Sequence, residues 1–364
     1  MRWKEKLTKP FDLFEISRVR PYLMGIATLW ITFYHCKYLN LFNSVFLTKT
    51  RLLGLFTRIE SIGNCGVDLF FFLSGLGLYF SYTRLRENHP HPLKAFYRRR
   101  YRKILPTILI VTVLTFGMVE KTDLANWAGG VFLYGFYWPT LERGNFWYLS
   151  ATVMLYLFFP LIYRGIQGKR ASAGAAAMIL AVVMLTLAVR AFAKEYYYTH
   201  AILMLCRIPV FILGVYTGRL SYEHRKIPVW IPLLAVPASV LLVILIADLP
   251  LDPEWRFYGF AVLIPCLTLA HAYVFSKFRK RGFLSRLVMM IGTYSMEIYL
   301  IFESIYNHGN NLIFSPDSMG LVYALTAFTA TLVLAVLLRA VVDRLVRVYD
   351  TQGDPPVSGK GAIQ

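Results

Sequence analysis

Residues 62–82 read Ile62-Gly-Asn-Cys-Gly-Val-Asp-Leu-Phe-Phe-Phe-Leu-Ser-Gly-Leu-Gly-Leu-Tyr-Phe-Ser-Tyr82. A helix needs about 20 apolar residues to cross the hydrocarbon of a bilayer, and this run supplies them. It carries one carboxylate, Asp68, and no base. Asp68, Phe72 and Gly75 are spaced by four and three residues, so they share one helical stripe. Gly66, Gly75 and Gly77 permit close approach of neighbouring helices. A buried acid on a tightly packed stripe suits a rigid site. Packing accounts for the glycines but not for the acid.

Nine other stretches are of the same kind: 21–39, 104–119, 146–163, 173–192, 200–218, 227–247, 257–276, 287–306 and 318–338. The expected fold is therefore an all-α integral membrane protein of about ten transmembrane helices. Composition agrees. Of 364 residues, 57% are hydrophobic and only 16% charged, too little polar surface for a soluble domain of this length. The formal net charge is nevertheless +19. The charges are segregated into short loops between apolar runs, which is not the pattern of a nucleic-acid binder. Met1 to Arg20 is too charged to be a cleavable signal, so the first apolar run reads as a signal anchor. Cys36, Cys65, Cys206 and Cys266 lie in or beside spans at no metal-ligand spacing and read as small buried hydrophobes. Stretch 127–139 is apolar and aromatic but half a span long, which suits a re-entrant or interfacial segment.

Basic residues set the orientation. With the N-terminus inside, the inner segments hold 29 Lys and Arg and the outer loops seven. Ten spans return the C-terminus to the cytosol. The expected organisation is a basic cytosolic N-terminus (1–20), one membrane domain (21–340) and a cytosolic tail (341–364). The tail is expected to be disordered from Asp350, where Gly, Pro and Ser occur without periodicity. The chain's expected surroundings are the lipids of a cell membrane.

Ionisable groups in hydrocarbon cost several kcal/mol each, roughly 2.5 or more at the centre, so each calls for a reason. His35, Asp68 and Arg207 fall at similar depth on the outer side. His271 lies toward the inner end of its span, where a satisfied structural histidine is the simplest account. Glu297 sits near mid-span beside Tyr294 and Ser295. A histidine oriented by a carboxylate is a general base of fixed tautomer. A buried ion-pair network that fixes helix packing explains the same three residues equally well.

Four stretches together resemble the acyltransferase 3 family of membrane acyltransferases. They are Gly25-Ile-Ala-Thr-Leu-Trp-Ile-Thr-Phe-Tyr-His35, Gly66-Val-Asp-Leu-Phe-Phe-Phe-Leu-Ser-Gly75, Phe96-Tyr-Arg-Arg-Arg-Tyr-Arg-Lys-Ile-Leu-Pro106, and Phe146-Trp-Tyr-Leu-Ser150 with Tyr156 and Pro160. Arg207-Ile-Pro-Val-Phe-Ile-Leu-Gly214 and Gly292-Thr-Tyr-Ser-Met-Glu-Ile-Tyr-Leu300 are weaker echoes. The resemblance covers residues 20–340 in order. It implies a ten-helix core, no bound cofactor, acyl-CoA (acetyl-CoA above all) as co-substrate from the cytosol, and O-acetylation of a cell-surface polysaccharide or lipid-linked acceptor.

On that resemblance His35 is the base or acyl carrier and Asp68 its partner. Arg99, Arg100, Arg102 and Lys103, with Arg98, stand at the cytosolic mouth and would hold the CoA phosphates by charge-assisted pairs. The same cluster also serves orientation and anionic-lipid contact. Arg207, Glu297, Trp147 and Tyr148 would support the acceptor side, where aromatic side chains can stack a sugar or form an interfacial belt. Three positions depart from the family pattern. Met24 stands where many members carry Arg, Thr152 where many carry Glu, and Phe302 where many carry a second His. Arg20, one turn below Met24 and about 40° off its stripe, is placed either to snorkel into the role of the absent Arg or to anchor on lipid headgroups. The rival reading is a transporter or flippase. It lacks the repeat halves and paired broken helices of that class.

Overall fold

The computed structural model describes residues 10–36, 51–118, 147–277, 282–302 and 320–350, with isolated positions between 125 and 138. Lys37, Trp127 and residues 351–364 lie outside the described residues, as does the side chain of Lys103. A short strand, β1 (Pro10–Asp12), leads into α1 (Phe14–Cys36). Then follow α2 (Arg51–Ser61), α3 (Cys65–Asn88), α4 (Pro92–Met118), α5 (Trp147–Gly165), α6 (Ala171–Phe192) and α7 (Lys194–Tyr222). Strand β2 (Lys226–Pro228) precedes α8 (Trp230–Asp248), α9 (Pro253–Lys277), α10 (Phe283–Thr293) and α11 (Gly320–Asp350). Residues 295–302 are helical again after a turn at Tyr294.

Over their described residues, all ten apolar stretches coincide with helices. Six of these, α3, α6, α7, α8, α9 and α11, are long and apolar enough to cross a membrane. The fold is thus an all-α membrane protein. Two boundaries differ from expectation. Helix α11 runs to Asp350, ten residues past the end set for the membrane domain. At the other end, helix α1 begins at Phe14 and β1 pairs antiparallel with β2, Pro10 opposite Pro228 and Asp12 opposite Lys226. Residues 10–20 are therefore part of the bundle rather than a separate tail. Asp12 also meets His224 Nδ1 at 2.9 Å.

Helix α3 is central: 78% of its apolar window is buried, against 11% for α6 on the periphery. The glycines explain its position. A Cβ on Gly66 would lie 2.8 Å from the Ala27 carbonyl oxygen of α1, and one on Gly75 would lie 2.6 Å from the Phe211 carbonyl oxygen of α7. From the other side, a Cβ on Gly214 would overlap the Phe72 carbonyl. Small residues thus let α3 sit backbone to backbone against two neighbours.

Two features have no counterpart among the expected spans. Helix α2 is a short amphipathic helix, held by Trp30 Nε1 donating to the Ile59 carbonyl (2.6 Å) and by Arg58 Nε on both Asp248 oxygens (2.8 Å). Helix α7 contains a π turn at Tyr197–Ala201 and a break at Cys206 and Arg207 before it resumes at Ile208. Pro209, without an N–H, opens the new helical segment where that donor would be unused. In 127–139, the described positions form turns at 132–133 and 136–137. They pack on the start of α7, where His200 Nδ1 lies 2.7 Å from the Phe136 carbonyl.

Candidate active site

Of the three residues grouped by depth, His35 and Asp68 do not form the expected pair. Asp68 Oδ2 accepts from Arg207 Nε at 3.1 Å, with both side chains at most 2% exposed. The break in α7 is what frees Arg207 to turn inward. Its Nη1 donates to the Leu203 carbonyl (3.0 Å), and its guanidinium lies 4.1 Å from the Phe257 ring centroid and 5.0 Å from that of Trp147. Helices α3, α5, α7 and α9 thus meet around one cation. Asp68 Oδ1 has no hydrogen-bond partner among the described residues. His35, at the end of α1, stands edge-on to Tyr34 at 5.2 Å and tilted to Phe302 at 6.2 Å. Of the two accounts left open for the outer residues, the ion-pair network holds for Asp68 and Arg207. The physical reason is lateral. Depth aligned all three residues, but the glycine contacts make α7 the close neighbour of the Asp68 stripe.

A polar cavity of about 300 Å3 lies toward the opposite end of the bundle. Arg20 enters it from α1, Arg99 and Arg100 from α4, Tyr148 from α5, Glu297 from residues 295–302 and Arg339 from α11. Arg20 Nε donates to the Leu73 carbonyl at 2.9 Å. Its guanidinium occupies the space above Gly77, where a Cβ would come within 2.9 Å of Cζ. Glu297 is fully buried and takes Arg339 Nη1 at 2.7 Å. Tyr156 and Ser74, bridged at 3.3 Å, add hydroxyls to the wall.

The expected site residues therefore divide. Arg20, Arg99 and Arg100 converge as a cationic wall, with Glu297 and Tyr148 beside them. Trp147, adjacent to Tyr148 in sequence, belongs instead to the Asp68–Arg207 layer. Arg102 turns away and its Nη2 donates to the Val346 carbonyl at 3.3 Å, tying α4 to α11. Met24 and Thr152, two of the departures from the family pattern, also line this cavity, while Phe302 is beside His35. Arg339 escaped sequence reasoning because a base at the inner end of a span is the ordinary topogenic signal. Only the carboxylate at its side makes it unusual.

A larger cavity, about 650 Å3, is lined by Trp30, Phe33, Glu60, Ser239 and His271 among mostly aliphatic residues. Ile26, Leu29, Trp30 and Phe33 lie on the face of α1 opposite His35, at 100° per residue. His271 Nδ1 is within 2.8 Å of the Leu267 carbonyl, which suits a satisfied structural histidine. The smaller cavity has the chemistry and the larger one has the greasy volume.

The family model for the acyltransferase domain matches residues 22–340. The chain belongs to the acyltransferase 3 family. No curated protein and no solved structure matches it. In this acyltransferase 3 member the matched span includes the Asp68–Arg207 layer and the cationic cavity apart from Arg20 and Pro21, which precede it. Family membership supports membrane acyltransferase activity over transport.

Proposed function

We propose that the protein takes an acyl group, acetyl by preference, from acyl-CoA at its cytosolic face and transfers it to a hydroxyl of a cell-surface glycan or related acceptor at the outer face. In this reading the ten helices that coincide with apolar stretches all span the membrane, with both chain ends in the cytosol. One observation carries the donor assignment. Arg20, Arg99 and Arg100 converge on one cavity from two helices, at the end where the basic loops lie. Guanidinium groups offer paired, charge-assisted donors to phosphate oxygens.

Met24 lines this cavity and His35 is eleven residues further along α1, about 16 Å at 1.5 Å per residue. The flexible arm of acyl-CoA is the part of the donor that would bridge that distance. At the outer end the acceptor oxygen attacks the thioester carbonyl. A C–O bond forms, the C–S bond breaks, and the hydroxyl proton passes through His35 to the departing thiolate. Transient acylation of His35 itself is the two-step version of the same transfer. Asp68 and Arg207 act as positioning residues that hold four helices in place around the outer end.

The test is transfer of labelled acetyl from acetyl-CoA by purified protein, with His35→Ala as the comparison. The substitution should abolish transfer and leave folding and insertion unchanged. Near-normal turnover in a folded His35→Ala protein would end the assignment.

A further inference from the structure

The cationic cavity holds more charge than the two helices assigned to the donor supply. Its wall contains four guanidinium groups, those of Arg20, Arg99, Arg100 and Arg339, and one carboxylate, that of Glu297. Arg99 is exposed and Arg20, Arg100 and Arg339 are half-buried, and four like charges around one cavity favour entry of an anion of more than one charge. Arg339 is the member that sequence logic treats as a topology signal. Its geometry says otherwise. Glu297 is buried to 0% exposure and accepts Nη1 at 2.7 Å, while Asp343 accepts Nε at 3.2 Å from one turn along α11. Two carboxylates thus hold the guanidinium through two of its three nitrogens. Among the described residues Nη2 makes no hydrogen bond, and it remains to reach a ligand.

Glu297 gives the second, independent sign of a ligand. Its Oε2 is buried, belongs to a residue that lines the cavity, and has no hydrogen-bond partner among the described residues. A buried carboxylate oxygen left open is unfavourable, and an N–H or O–H donor in the cavity would relieve it. The arm of acyl-CoA carries amide N–H groups and a hydroxyl, and its phosphates suit Arg339. A bare phosphate supplies the anion without those donors.

We infer that Arg339, aimed by Glu297, is the fourth cation of the donor site, brought to it by the last helix. This rests on the reading of the cavity as the acyl-CoA site. In it Glu297 is a positioning residue and Arg339 a binding residue. The last helix therefore closes the donor cavity as well as the bundle. Arg102, tied to Val346, is the other link between α4 and α11.

The experiment measures KM for acetyl-CoA and for acceptor, with equilibrium acetyl-CoA binding to detergent-purified full-length protein. Arg339→Ala should raise donor KM about tenfold or more, the loss of one charge-assisted contact, with acceptor KM unchanged. Arg339→Lys should recover part of that loss. Glu297→Gln should raise donor KM by a smaller factor. Because Arg339→Ala strands a buried carboxylate and threatens folding, the double variant Glu297→Gln/Arg339→Met removes both charges together. It should fold, bind acetyl-CoA no better than Arg339→Ala, and show strong non-additivity. Unchanged donor KM and binding in the double variant, with Arg99→Ala still impaired, would overturn the role of Arg339 and leave the cavity assignment intact. Unchanged donor binding in all of these variants, Arg99→Ala and Arg20→Ala included, would remove the cavity assignment itself and the inference with it.

Discussion

The Asp68–Arg207 pair makes an asymmetric prediction. Both side chains are at most 2% exposed, and no other charge is paired with either of them among the described residues. Removing one member of a buried pair strands the other at a cost of about 3–5 kcal/mol. The two members are not equally dependent. Arg207 keeps the Leu203 carbonyl and the faces of Phe257 and Trp147 when Asp68 is neutralised, and a desolvated cation–π contact is worth about 2 kcal/mol. Asp68 keeps nothing comparable when Arg207 is lost, because its Oδ1 already lacks a partner. Arg207→Met should therefore destabilise by the full 3–5 kcal/mol and Asp68→Asn by about 1–3 kcal/mol. Asp68→Leu/Arg207→Met should lie closer to wild type than Arg207→Met alone, since it leaves no uncompensated charge. The assay is denaturant or thermal unfolding in one detergent, with acetyl transfer measured on the folded fraction. Turnover of folded Asp68→Asn should stay within about tenfold of wild type, less than a general base contributes. A loss of two or more orders of magnitude there, with stability intact, would refute the reasoning and return Asp68 to His35 as its orienting partner.

Gly77→Ala should weaken acetyl-CoA binding severalfold while barely altering stability. Its Cβ would come within 2.9 Å of the Arg20 guanidinium, which can swing away only by giving up the Leu73 carbonyl. Gly214→Ala should instead impair folding, because there the clash is with the Phe72 backbone, which cannot move aside; yield and melting temperature report it. Burial pushes the Asp12 carboxyl up, but the His224 hydrogen bond, the Phe14 N–H and nearby positive charge outweigh it and hold it below its ordinary 3.8. A carboxyl lowered on folding stabilises above its unfolded value and loses that contribution as pH falls through the folded one. The β1–β2 tie should therefore hold at neutral pH and loosen only below about pH 4, and Asp12→Asn should loosen it at neutral pH, both read by hydrogen exchange at residues 11–13. Equal protection at pH 3 and pH 7 would remove Asp12 from that role.

The helical core was legible because a 20-residue apolar run has few alternative readings. Helix α2 was not, since its polar and apolar residues alternate around an 11-residue helix and its mean hydropathy is near zero. Nor was the β1–β2 pair, three residues on each side joined across more than two hundred positions. The site was legible as a set of improbable residues, not as a set of contacts. Spacing along a span fixes depth, whereas partnership depends on which helix stands alongside. Depth grouped His35, Asp68 and Arg207, and the packing of α3 on α7 then gave Asp68 to Arg207. Trp147 and Tyr148 show the same limit at one position's remove: 100° of helical rotation puts them in different layers. Arg20, by contrast, was found from its angle to Met24, because both lie on one helix whose internal geometry is known in advance.

The contact between α3 and α7 also bears on how material crosses this protein. Gly75, Gly214 and Gly218 each face a carbonyl of the other helix so closely that not even a methyl group fits between them. Sliding α3 by a turn would bring Phe71 or Tyr79 to the place of Gly75, and sliding α7 would bring Val210 to that of Gly214 or Tyr222 to that of Gly218, where only hydrogen fits. The two most buried helices therefore have a single register and cannot ratchet past each other. In the proposed function, what passes from one face to the other moves while this seam stays still, and a two-carbon acyl group at the end of a flexible thioester arm meets that requirement.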